Sequence, residues 1–145
     1  MSRWSNRHRA AIADALGPGE TLLAAERVVI NAVQSDATDR VARGGRGKRV
    51  DAARDRGFPV PGPIFVLALT DQRLLLFNAS TWLSRPRDIG GEIDLDDVAT
   101  IRAARRLLAE RLAILLESRS MLVVQPLWGR GLRDFDRAFT NAKGR

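Results

Sequence analysis

The sequence predicts a mainly β, α+β domain: as many as seven possible short strands followed by an amphipathic C-terminal helix, with a short helix in front. Three observations carry this. Ile64-Phe65-Val66-Leu67-Ala68-Leu69 and Leu74-Leu75-Leu76-Phe77 are apolar runs of strand length around the polar break Thr70-Asp71-Gln72-Arg73, which is the pattern of a central hairpin. Leu132, Phe135 and Phe139 are spaced i, i+3, i+7 at the far end, which places them on one face of a helix. Around these signals lie further short apolar runs bounded by Gly, Pro or Ser that can be read as strands.

The first element is a helix over residues 4–16. Trp4, Ala11, Ile12, Ala15 and Leu16 share a broad face, Ser2 or Ser5 supplies the N-cap, and Gly17-Pro18-Gly19 stops it. Glu20 to Ile30 reads as the first strand, densest at Val28-Val29-Ile30, although Leu-Leu-Ala-Ala-Glu-Arg has local helix propensity. Residues 34–57 change character. Between Arg40 and Arg56 the cations Arg40, Arg43, Arg46, Lys48, Arg49, Arg54 and Arg56 face only Asp51 and Asp55, and Gly44-Gly45-Arg46-Gly47 disfavours helix and strand alike. A flexible basic insertion is expected, with at most a helical turn near Val50 to Arg54. Pro59, Pro61 and Pro63 enforce an extended approach to the hairpin.

In the hairpin, Phe65, Leu67 and Leu69 point one way and Ile64, Val66 and Ala68 the other. Both faces are apolar, so both need a cover: barrel closure, a helix, the N-terminal segment or a partner chain. Residues 78–87 read as a loop, and Gly91 to Leu95 as a fourth strand. Residues 98–117 fit either a helical stripe (Val98, Ile101, Leu108, Leu112, Leu115) or two strands near 98–106 and 111–117. Ser118-Arg119-Ser120 is a turn, Met121 to Gln125 a strand ended by Pro126, and 131–142 the closing helix.

One domain of residues 1–145 accommodates all of this, with 45% hydrophobic residues to build a core. No apolar run reaches transmembrane length, and the basic start followed by Ala10 to Leu16 is a poor secretion signal. Cytoplasmic residence is expected, with peripheral membrane attachment as a variant. The chain has no cysteine and a single histidine, His8. Thiol catalysis, thiolate metal sites and multi-histidine metal sites are therefore excluded. No metal or cofactor is expected, and an enzyme would have to rely on carboxylates, hydroxyls, lysine or arginine alone. The formal net charge is +7, and arginine supplies nearly all the cations.

Leu69-Thr70-Asp71-Gln72-Arg73-Leu74-Leu75-Leu76-Phe77 and Gly19-Glu20-Thr21-Leu22-Leu23-Ala24 resemble the hairpin and first strand of bacterial pleckstrin-homology-like (PH-like) and GRAM-type domains. The stretch Ile93 to Ile101 is similar to their fourth and fifth strands, and Phe135 and Phe139 to their barrel-plugging helix. The resemblance spans about residues 19–142. It implies a seven-stranded sandwich or partly open barrel capped by a helix, and it favours the two-strand reading of 98–117. It also implies a binding scaffold, without naming a ligand. The long 34–57 insertion departs from it.

On that alignment the insertion joins strands one and two, where membrane-binding PH domains carry basic residues. Arg40, Arg43, Arg46, Lys48, Arg49, Arg54 and Arg56 are the candidate anion-binding set, since guanidinium forks suit phosphate. At about 1 kcal/mol per basic residue near an anionic bilayer, such a window supports weak, salt-sensitive association. Trp82, with Leu83, Arg85 and Arg87, is a candidate interfacial anchor. The expected function is non-catalytic docking on a protein partner or an anionic membrane. Nonspecific nucleic-acid binding through Arg43-Gly44-Gly45-Arg46-Gly47-Lys48-Arg49 is an alternative, weakened by the lack of interleaved aromatics. A purely structural or oligomerisation role is another, because the hairpin is apolar on both faces.

Other polar clusters have plainer readings. Glu92, Asp94, Asp96 and Asp97 lack any cation-loop pattern and suit a strand entering a turn. Thr70 and Asp71 suit turn chemistry. Arg73 is placed to pair with Asp71 or with a neighbouring strand. Gly129-Arg130-Gly131 suits a turn into the last helix better than an anion site.

Overall fold

The structure, a computed structural model, describes residues 3–34, 46–79, 86–106, 109–127 and 132–144. Helix α1 (Arg3–Ala13) is followed by β1 (Leu22–Gln34), helix α2 (Arg46–Asp55), β2 (Ile64–Thr70), β3 (Arg73–Ala79) and β4 (Pro86–Asp94). A 3-10 turn at Leu95–Asp97 leads into β5 (Val98–Arg106), β6 (Ala109–Leu116), β7 (Met121–Pro126) and helix α3 (Arg133–Lys143). The strands form one seven-stranded antiparallel sheet in the order β4-β3-β2-β1-β7-β6-β5. The expected mainly β architecture with a C-terminal helix and a short N-terminal one is therefore present. Val98–Arg106 and Ala109–Leu116 are two strands rather than one helix.

Strand β1 is the spine. Its first half pairs with β2, from Leu22 opposite Thr70 to Val29 opposite Ile64. Its second half pairs with β7, from Val28 opposite Pro126 to Gln34 opposite Met121. Register shifts between Leu22 and Ala24 and between Ile30 and Ala32 are the bends expected where one strand serves two halves of a folded sheet.

The main core lies inside the fold of the sheet. Phe65, Leu67, Leu69, Leu74 and Leu76 of the hairpin meet Val28, Ile30, Leu112, Ile114, Leu122 and Val124 there. Leu132, Phe135 and Phe139 join them from the last helix. Helix α3 packs mainly on β5 and also reaches β1 and β2. The opposite face of the hairpin builds a second, smaller core from Leu22, Ala25, Val66, Ala68, Leu75 and Phe77. Helix α1 covers it through Ile12, fully buried, and the turn after the helix adds Leu16. The two apolar faces of the hairpin thus have separate covers, the folded sheet on one and the N-terminal helix on the other.

The expectation of a flexible basic loop across 34–57 is corrected over its second half. Arg46–Asp55 form a helix, and Val50, Ala52 and Ala53 belong to the main core with Phe58 and Val60. Packing of this small apolar face offsets the weak propensity of Gly47 in its first turn. The helix ends where Gly57 takes φ +90°. There the Phe58 amide donates to Ala53 O and the Gly57 amide to Arg54 O, the paired bonds of a left-handed helix stop. The chain then returns along β4. A Cβ on Gly91 would stand 2.3 Å from Pro59 O, and one on Gly90 would stand 2.7 Å from Pro61 Cβ. Glycine is required at both positions for this close approach.

Candidate binding surfaces

The seven cations of the basic window do not form one described patch. Arg40 and Arg43 lie outside the described residues. Arg46 opens α2, and only its backbone is described. Lys48 is exposed. The other three brace the backbone. Arg49 Nη1 reaches Ile30 O at 3.5 Å. Arg54 donates from Nε to Val60 O at 3.0 Å and from Nη2 to Pro61 O at 3.3 Å. Arg56 Nη1 donates to Ala52 O at 3.1 Å. Arg54 thereby ties the proline segment to the helix. Trp82 and Arg85 lie outside the described residues, and Arg87 is in β4 with only its backbone described.

The hairpin turn holds a charged clasp that local pattern did not reveal. The Thr70 hydroxyl accepts from the Gln72 and Arg73 amides at 3.1 and 3.0 Å and lies 2.7 Å from Glu20 Oε2. Asp71 Oδ1 accepts from the Thr21 amide at 2.9 Å, and the Asp71 amide donates to Thr21 O. Arg73 grips Glu20 with two parallel bonds, Nε to Oε2 and Nη2 to Oε1, both 2.9 Å, and uses Nη1 on Glu92 of β4. The Glu20 side chain is only 1% exposed. The Arg73 bonds hold its carboxyl down at about 2 against burial, which pushes the other way; the Gly17 amide and the Thr70 hydroxyl assist. Thr70 and Asp71 are thus turn residues, and Arg73 pairs with neighbouring segments rather than with Asp71.

Glu92, Asp94 and Asp97 line an open groove of about 480 Å³ with Glu117 and Gly57; Asp96 is exposed on the adjoining turn. Among the described residues no group of three His, Cys, Asp or Glu side chains is placed to hold a metal ion. A second groove, about 670 Å³, runs between the edge strand β5 and α3. There Asp136 Oδ2 accepts the Ala103 amide at 3.1 Å, so a carboxylate occupies a backbone donor that an added strand would need.

The outer face of β5, β6, β7 and the second half of β1 is different. Register places Arg102, Ala113, Val123 and Ala32 in one row across the four strands. Thr100, Leu115, Met121 and Gln34 form the next. Ala104 stands opposite Arg111, and Val29 opposite Gln125. All these side chains are partly or fully exposed. Among the described residues α2 and α3 pack into the main core on the other side of the sheet and the N-terminal segment into the smaller core, not over this face. Sequence pattern alone marks 111–117 and Met121 to Gln125 as possible strands, and period two does not tell a covered apolar face from an open one.

No protein-family model matches the chain, and no curated protein matches it. Among solved structures it is similar to the hSac2 domain from the human phosphoinositide phosphatase Sac2, at 9% identity and a TM-score of 0.41, over 99% of this chain and 80% of that one. Among the described residues no helix is long and apolar enough to cross a membrane.

Proposed function

We propose that this chain is a non-catalytic docking module of the PH-like, GRAM-type kind, and that its partner is another protein. The observation that carries the docking reading is the open outer face centred on Ala113, Leu115, Met121 and Val123. It is a contiguous apolar sheet surface with no helix of the described chain packed over it, the kind of surface that marks an interaction site. The strand order and closing helix support the PH-like reading. So does the clasp, which brings the Gly19-Glu20 and Thr70-Asp71-Gln72-Arg73 stretches together.

Docking on an anionic membrane through the basic window has fewer groups behind it. Arg49, Arg54 and Arg56 are bonded to backbone carbonyls, which leaves Lys48 and the exposed part of Arg54 as its described representatives. The nucleic-acid reading rests on the tract around Arg43, which begins outside the described residues.

A photo-crosslinker at Ala113, used in the native host, tests the proposal. Adducts with one protein, lost on Val123→Glu, are expected. Lipid or nucleic-acid adducts, or none, would sink it.

A further inference from the structure

We infer that the open face receives an amphipathic helix bearing carboxylates along its flanks, supplied by a partner protein. This rests on the docking reading above. Two observations on the outer surface lead to it.

The first is shape. The same outer surface already accepts a helix one half-sheet away, where α1 seats Ile12, and the turn after it Leu16, on Val66, Ala68, Leu75 and Phe77. The open half offers similar material: Ala32, Ala113 and Val123 in one row, Leu115 and Met121 in the next. Such rows take the ridge of a helix rather than the edge of a strand. Strand addition is also opposed at the nearby β5 edge by Asp136.

The second is charge. Arg102 and Arg111 sit on the open face, and Arg27 stands at its border with the covered half, opposite Val66. No aspartate or glutamate occupies the face positions named above. Arg111 is half-buried on this face, and its Nε meets no acceptor among the described residues, so that nitrogen is not tied to a described carboxylate of this chain. A complementary ligand brings carboxylates, which match guanidinium forks.

The same charges disfavour two other occupants. Two copies placed face to face would oppose arginines with arginines. The α1 of a second copy is no better, because it carries Arg3, Arg7 and Arg9 and no acid.

The test uses the full chain and two synthetic helix-forming peptides of about five turns. Both carry a Leu/Ala stripe; one is flanked by glutamates, the other by lysines. Amide shifts are followed by NMR. The glutamate peptide is expected to move Ala113, Leu115, Met121 and Val123 and to bind about tenfold more tightly than the lysine peptide. Arg102→Gln with Arg111→Gln is expected to erase that preference, and Val123→Glu to abolish binding. Should Val123→Glu fail to fold, Ala113→Glu serves instead.

Equal binding of both peptides, shifts confined to another surface, or no shift at millimolar peptide overturns the inference. So does protection of this face by phosphatidylserine vesicles, or a dimer that Val123→Glu dissociates. If the photo-crosslinker at Ala113 captures one protein through a segment without acidic amphipathic character, this inference fails and the docking proposal stands.

Discussion

The outer surface of the sheet has two halves built from similar residues and treated in opposite ways. Over β1, β2 and β3, Val66, Ala68, Leu75 and Phe77 are fully buried because α1 lies on them. Over β6 and β7, Ala113, Leu115, Met121 and Val123 keep partial exposure. Strand chemistry does not distinguish the halves; the presence of a helix does. An apolar strand face therefore specifies only that something should cover it, and the rest of the chain decides whether that cover is internal.

The comparison can be broken most forcefully in the covered half. Phe77→Ala should cost about 3–5 kcal/mol, as for other buried phenylalanines, whereas Val123→Thr in the open half should stay within about 0.5 kcal/mol of wild type. Urea denaturation measures both. Similar losses at the two positions would mean that the halves are equally covered.

Next in size is the clasp beside the covered half. Arg73→Met leaves the Glu20 carboxylate buried without its bidentate partner, a change expected to cost about 3 kcal/mol. It also predicts a pH signature. Glu20 is held at about 2, below its ordinary 4.5, so the unfolded chain binds more protons than the folded one between those values. The resulting stabilisation is complete above the higher value and is lost as the pH falls toward the lower. Denaturation midpoints at about pH 5 and about pH 2.5 should differ by less in Arg73→Met than in wild type.

A milder intervention removes the cover itself. Ile12→Ala should cost about 2 kcal/mol and raise binding of a hydrophobic dye, as α1 loosens over Val66 and Phe77. Leu115→Gln, in the open half, should lower dye binding with little change in stability. The reverse order would exchange the roles of the two halves.

These contrasts show how much was legible in the sequence. The hairpin and the last helix were, because their periods are strong. The need for two covers on the hairpin followed from its apolar faces, and α1 and the folded sheet supply them. Helix α2 was not legible. Its buried stripe is only Val50, Ala52 and Ala53, set among arginines and introduced by glycines, and tertiary packing overrode propensity there. Nor could spacing show that Arg49, Arg54 and Arg56 turn to backbone carbonyls, since charge runs look alike whether solvated or bracing. Glu20 and Arg73 meet across a long sequence separation, beyond any local pattern. Only the family resemblance brought their two stretches into one reading.

The position of β1 has a consequence in time. Its first half pairs with β2, soon after it in the chain, while its second half waits for β7, near the end. Synthesis therefore completes α1, β1, α2 and β2–β4 before the other half of the sheet exists. A nascent chain stalled after Asp94 would already hold every residue of the second, smaller core. Once residues through Asp94 have left the ribosome, α1 is in place to cover this half before the other is made. Arrest-peptide force measurements should detect folding at that length in wild type and lose the signal in Ile12→Ala.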